Sequence, residues 1–214
     1  SGSGNDLSPP ALIYWYPTGA NLRDCFPSST EIPMTELTPA RLRTILAAFP
    51  PLRIGVIGDF FLDAYYDCDP TLDEKSLETG RTCYQVVGHR RQAGAAGTVA
   101  ANLRALGVGE VAAVGYCGDD GEGYELRRAM CGLGLELTDF VTAPDRLTPT
   151  YGKPCYVDNI RRGRPVIEEL ERLDSKNRSS TPVGLQDEMI DRVHAGLDRW
   201  DAIVLVDQVA EANC

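Results

Sequence analysis

The chain has 214 residues, enough for one ordinary domain with a sizeable core. Its 31 acidic and 21 basic residues leave a net charge of −10. That excludes a nucleic-acid surface as the main business, though not an anionic small molecule met by a few local cations.

Residues 1–33 are rich in Ser, Pro, Gly and Asn, with one aromatic cluster at Tyr14, Trp15 and Tyr16 and no sustained periodicity. The opening SGSG reads as a linker, and Met34 opens a stretch that reads as a natural start. Residues 1–36 are therefore expected to be an extension, disordered or outside the fold. Thr38-Pro39 is an N-cap followed by proline at the first helical position. Leu42, Ile45 and Leu46 line one face of the helix, and Phe49-Pro50-Pro51 stops it. Residues 53–59, RIGVIGD, form a short apolar run ending in Gly-Asp. That is the pattern of a buried parallel strand whose carboxyl end opens onto a site. Asp59 and Asp63 follow. Carboxylates there suit sugar hydroxyls; equally, Asp59 caps a turn and Asp63 is solvated. The residues leave both readings open.

From Tyr65 to Arg91 the chain is β-prone, with a polar loop at 69–81. This predicts an antiparallel excursion, a lid at about 64–92. Arg90 and Arg91 read as strand charges facing water or as anion contacts. Residues 94–107, GAAGTVAANLRALG, run from small residues into a helix with Val99, Leu103 and Leu106 on one face. The small residues either let a ligand approach the helix N-terminus or pack the helix tightly against a strand. Gly107 ends the helix.

Strand, helix and strand follow at 111–115, from 124 to about 132, and at 135–141. Acids at 118–123 suit the helix start. This alternation predicts an α/β domain with a parallel sheet. Lys153 stands in a β-prone stretch, either as a surface lysine or reaching a substrate phosphate or hydroxyl. Leu185, Ile190, Val193 and Leu197 mark a helix, and 202–206 a final buried strand that Asp207 ends as Asp59 ends the first. No helix covers that strand before Cys214, so the domain is expected to be incomplete at its C-terminus.

No apolar run approaches the ~20 residues a membrane helix needs. The start lacks the basic-then-apolar order of a signal peptide. Seven cysteines, an odd number with no C-x-x-C pair, point to reduced thiols and a cytoplasmic protein. Two distant histidines, His89 and His194, argue against a zinc site, and no metal ligands are assigned.

Taken in order, these features resemble the ribokinase-type (PfkB) carbohydrate kinases, nearest to those acting on heptose 7-phosphate. The resembling pieces are Val56-Ile57-Gly58-Asp59 with Leu62-Asp63, and Tyr84-Gln85-Val86-Val87. GAAGTVAANLRALG stands where the family has its N-terminal signature. Val114-Gly115, Gly118-Asp119-Asp120-Gly121, Thr150-Tyr151-Gly152-Lys153, Arg172-Leu173-Asp174 and the strand ending at Asp207 complete the set. The resemblance implies a ribokinase-like parallel sheet flanked by helices, with a small β lid. It implies ATP and Mg as cofactors, and transfer of the γ-phosphate to a sugar or sugar-phosphate hydroxyl. By position, Asp59 and Asp63 would hold sugar hydroxyls. Gly94, Ala95 and Thr98 would lie against the sugar, and Lys153 and Asp207 near the acceptor or its phosphate. It also implies a homodimer through the lid as one arrangement; that no nucleic-acid or membrane partner is expected rests on the net charge and the apolar runs.

Two departures stand out. The signature's paired glycines are Gly94-Ala95 here, and its asparagine is Thr98, which loses an amide's donors. The family's later Gly-Ala-Gly-Asp motif, which carries the aspartate base and the anion hole, does not occur in the 214 residues. Nor does the Asn-x-x-Glu segment near the magnesium. Residues 37–214 are thus expected to be the substrate-binding part of a sugar kinase, with no catalytic residue and no turnover alone. One rival is a non-catalytic sugar-binding or regulatory module. Another is a dinucleotide-binding oxidoreductase domain. Against the latter, the strand ending at Asp59 leads into a β excursion rather than a Gly-rich turn and helix.

Overall fold

The computed structural model describes residues 11–15, 37–158, 163 and 165–208. Strand β1 (Ala11–Trp15) is followed by helix α1 (Pro39–Ala47). Thr38 caps α1 as expected, its Oγ1 accepting from Arg41 N at 3.2 Å. The helix buries no residue, so Leu42 and Leu46 stay exposed. Strand β2 (Arg53–Gly58) then runs through Asp59 into β3 (Phe60–Cys68). A short ribbon pairs β4 (Glu74–Lys75) with β5 (Thr82–Cys83). Next come β6 (Val86–Ala95), α2 (Ala96–Ala105), β7 (Glu110–Gly118), α3 (Gly121–Gly132) and β8 (Phe140–Ala143). The described chain closes with β9 (Thr150–Val157), β10 (Val166–Glu169), β11 (Leu173–Ser175), α4 (Val183–Gly196) and β12 (Ala202–Val206).

The fold is α/β. Five strands form a wholly parallel sheet in the order β1-β12-β2-β7-β8. Its strands read as unbroken apolar runs because both faces are covered. On one face Val56, Val111, Ala113, Val204 and Val206 pack with Ala96 and Ala100 of α2 and Leu126 and Met130 of α3. On the other, Ala112, Val114 and Ile203 pack on Trp200, just after α4. Adjacent residues of β7 thus serve opposite cores, the period-2 signature of a strand.

A second sheet has the order β10-β9-β3-β6, with β11 also on β9. Strand β3 pairs antiparallel with β6 and parallel with β9. This sheet includes strands from the stretch 64–92 expected as a lid and extends beyond it at both ends, from Phe60 to Ala95. The sheet starts at Phe60, because β2 and β3 are separated by Asp59 alone, and it draws in residues of 150–175. The strand expected at 135–141 is also displaced, to Phe140–Ala143. Glu136 Oε1 accepts from Thr138 N at 2.8 Å and Thr138 Oγ1 at 2.5 Å, a local turn that breaks the extended run.

The expectation that residues 1–36 lie outside the fold differs from the structure at Ala11–Trp15. The β-prone sequence ALIYW forms an edge strand in register with Ala202–Val206. The remainder of that extension, including Met34, lies outside the described residues, as does Cys214. Among the described residues no helix is long and apolar enough to cross a membrane.

Candidate functional site

The crossovers after β2 place α2 and α3 on one face of the parallel sheet, whereas α4 leads into β12 from the other. The carboxyl ends of β2 and β12 are therefore where the winding reverses, the crevice in which open α/β sheets bind ligands. Asp59 and Asp207 stand at those two ends. Gly58 makes the junction close. Its φ is +144°, and a Cβ there would lie 1.9 Å from Val206 O. Asp59 N donates to Val206 O at 3.2 Å, and Asp59 Oδ2 accepts from Gln208 N at 2.9 Å. Asp59 also receives Ala96 N at its carbonyl, at 2.9 Å, which ties the start of α2 to the crevice. The Asp59 carboxylate thus holds the backbone just beyond the end of β12, and Asp59 lines the cavity described next. Asp207 is exposed.

A cavity of about 770 Å³ opens between these strand ends and α4. That volume suits a small molecule. Asp59, Phe61 and Tyr116 line its sheet side; Lys176, Asn177 and His194 are among those lining the other. Phe61 and Lys176 carry the lining onto the second sheet. The Phe61 ring meets Tyr151 edge-on at 5.1 Å, and Lys176 Nζ lies 5.6 Å from the Tyr151 ring centroid.

On that face of the second sheet Asp63 and Lys153 meet. Tyr65 pairs with Lys153 across the ladder, and Asp63 with Tyr151, so these side chains share one side. Lys153 Nζ sits 2.7 Å from Asp63 Oδ1, with the two side chains 16% and 18% exposed. It also donates to the Tyr65 hydroxyl at 3.4 Å. Burial works to lower the Lys153 pKa, but the hydrogen bonds and charge of Asp63 and Tyr65 outweigh it, and the net direction is upward. Gly94 makes room for the pair: a Cβ there would stand 2.7 Å from Asp63 Oδ2. The small residues before α2 therefore serve close packing at Gly94, one of the two readings of that stretch.

Ala95 adopts φ 52° and ψ −118°, a conformation that favours glycine. Thr98 lies exposed in the first turn of α2. The structure thus brings Asp63, Lys153 and Gly94 into contact, sets Ala95 beside them, and places Asp59 at the cavity and Asp207 at the neighbouring strand end. Thr98 faces outward.

Sequence reasoning missed Tyr65, Tyr151, Arg172 and Lys176 as site residues. Arg172 stacks over Tyr151 at 4.3 Å and pairs with Asp174 at 2.7 Å; that hydrogen bond holds its pKa above the usual value. The period-2 spacing of Tyr151 and Lys153 was the available signal. Arg90 is neither a free strand charge nor an open anion contact. It holds Asp67 with Nε at 3.0 Å and Nη2 at 2.8 Å from Oδ1, which raises its pKa. Among the described residues no group of three or more His, Cys, Asp or Glu side chains is placed to hold a metal ion.

No family model matches the chain. The chain is similar to the Bifunctional protein HldE of Geotalea uraniireducens, 29% identical over 171 residues that cover 76% of this chain and 32% of that protein. It is likewise similar to the protein of the same name from Geobacter sulfurreducens, 29% identical over 154 residues, 71% of this chain and 29% of that one. The chain spans about a third of the length of the curated relatives it matches. Among solved structures, a carbohydrate kinase from Agrobacterium tumefaciens aligns at 22% identity and a TM-score of 0.40, covering 58% of this chain and 35% of that one. In its motifs and its sequence relatives, the chain resembles the N-terminal portion of a ribokinase-like (PfkB) carbohydrate kinase.

Proposed function

We propose that these residues are the substrate-binding part of an ATP-dependent carbohydrate kinase. The complete enzyme would move a γ-phosphate to a hydroxyl of a sugar or sugar phosphate, a heptose phosphate first. The observation that carries the reading is the Asp63–Lys153 pair on Gly94. Two side chains 90 positions apart, which the family resemblance assigns to a sugar or its phosphate, sit 2.7 Å apart on the sheet face that carries Phe61 and Tyr151, and Phe61 in turn lines a cavity of small-molecule size. A carboxylate accepts sugar hydroxyls, and an ammonium holds an oxyanion. The pair neutralises itself until a ligand offers each partner a replacement. Asp59 lines the cavity itself, and Asp207 stands at the adjoining strand end.

Among the described residues no group of three or more His, Cys, Asp or Glu side chains is placed to hold a metal ion by itself, and no step is assigned to the metal or the triphosphate. The aspartate base of the resembling family has no counterpart motif in the 214 residues. The chain by itself is therefore proposed to bind sugar and not to consume ATP. The oxidoreductase alternative loses support, because β2 continues through Asp59 into β3 rather than into a helix.

The test is a set of calorimetric titrations of the chain with heptose 7-phosphate, NAD and Mg-ATP, beside an ADP-release assay. Saturable sugar-phosphate binding without ADP release is expected. Binding of NAD with none of sugar phosphate would overturn the proposal, as would ADP release that Asp63→Asn abolishes.

A further inference from the structure

We propose a second ligand site, for a phosphate group, on the opposite face of the second sheet from Asp63 and Lys153. There β6 overhangs α3 and encloses a cavity of about 370 Å³ lined by His89, Arg91, Glu125, Arg128 and Ala129. In a chain of net charge −10, two arginines and a histidine around one cavity with a single carboxylate form a local reversal of sign.

His89 and Arg91 alternate along β6 and so share this face, while Arg90 between them turns to the other and holds Asp67. Both side chains are carried on one ring. The Arg91 guanidinium stacks over Tyr66 at 4.7 Å, and His89 meets the same ring edge-on at 5.5 Å. Tyr66 itself packs against the main core, so the platform is fixed. Arg91 Nη1 donates to the carbonyls of Tyr65 at 2.9 Å and Arg90 at 3.2 Å. Its position is thus set by backbone. Among the described residues no carboxylate pairs with it, and neither its Nε nor its Nη2 donates a hydrogen bond. Arg128 brings a second guanidinium from α3, 71% exposed and held only by Glu125 at 3.4 Å.

A fixed guanidinium with spare donors, a second one free to swing in, and an imidazole beside them match a tetrahedral oxyanion. The cavity is too small for a nucleotide buried whole and large enough for a phosphate monoester of a small molecule. The carbonyls that anchor Arg91 belong to Tyr65 and Arg90, whose side chains hold Lys153 and Asp67 on the other face. An anion here therefore pulls on the backbone behind the candidate sugar site. This proposal stands whether or not that site binds sugar.

The experiment follows the His89 ring signals by NMR as the chain is titrated with inorganic phosphate, with glycerol phosphate, and with sodium chloride at matched ionic strength. The result expected is a saturable shift with the phosphates and none with chloride. Binding is expected to be about tenfold weaker in Arg128→Gln, an exposed position that leaves folding intact, and restored in part by Arg128→Lys. Tighter binding of glycerol phosphate assigns the site to a phosphorylated metabolite, and tighter binding of inorganic phosphate assigns it to the free ion. No saturable shift, a shift that chloride reproduces, or one that survives unchanged in Arg128→Gln overturns the proposal.

Discussion

The parallel sheet and the second sheet use similar strand-forming residues and are held together differently. The first is sealed on both faces by apolar side chains, aliphatic for the most part with Phe60 and Phe140 on one face and Trp200 on the other. The second meets that core along Phe60, Leu62, Ala64 and Ala93, with Tyr66 packed against it, and its opposite face carries ion pairs and stacked cations. Apolar burial is insensitive to direction and scales with area, so the parallel sheet is a rigid base. Paired charges exchange partners at small net cost, so the second sheet is the part a polar ligand can reorganise.

The largest effect expected is on the base. Leu126→Ala empties a fully buried site between α3 and the sheet and should cost about 3 kcal/mol. In thermal unfolding that is a fall of roughly 6–12 °C. A loss confined to the second sheet would break the distinction.

Breaking the Asp63–Lys153 pair comes next. Lys153→Met should destabilise by about 1–3 kcal/mol, between the exposed and fully buried limits, because Asp63 is left without its partner. The double variant Asp63→Leu with Lys153→Met should recover most of that stability in denaturant titration while sugar-phosphate binding stays lost. Recovery of both would mean that the pair has no role in binding.

A smaller change of opposite sign is expected at Ala95. Ala95→Gly removes the strain of an alanine at φ 52° and should stabilise by about 1 kcal/mol in chemical denaturation. A destabilised variant would show that the methyl group packs usefully enough to outweigh its backbone cost.

The least expected change is a pH effect at the joint between the sheets. Asp120 accepts from Gly123 N at 2.7 Å, at the start of α3, and from Thr148 Oγ1 at 2.6 Å and N at 2.9 Å. Burial works to raise its pKa, but these hydrogen bonds prevail and lower it. A depressed carboxyl contributes stability that is full above its unfolded pKa of about 3.9 and disappears as pH falls through the folded value. Asp120→Asn should therefore flatten the stability–pH curve below about pH 4 while leaving its shape near neutrality unchanged.

The same contrast explains what could be read from sequence. The central strands of the parallel sheet were legible because burial on both faces writes apolar runs at 54–58 and 202–206, and Thr38, Asp120 and Gly107 punctuate helices by local rules; its edge strands β1 and β8 were not. The second sheet was only half legible. Its start at Phe60 is set by the Gly58 junction, and β9 joins it through parallel pairing with β3, a contact between residues far apart in sequence. At the site, Asp63, Lys153 and Gly94 could be named singly from charge, position and size. That Lys153 rests on Asp63, with Tyr65 and Tyr151 around it, depends on register between β3 and β9, and no local pattern encodes it. Thr98 shows the converse: its place in the motif was legible, and its side chain points outward.

The central claim is that the Asp63–Lys153 pair is the heart of a sugar-binding face. Its most direct test is calorimetric titration of heptose 7-phosphate into the unaltered chain and into Asp63→Asn, at one pH and salt concentration. Saturable binding to the first is expected, and binding at least tenfold weaker to the second, with both folded by circular dichroism. Equal affinity for the two, or saturable binding to neither, would contradict it.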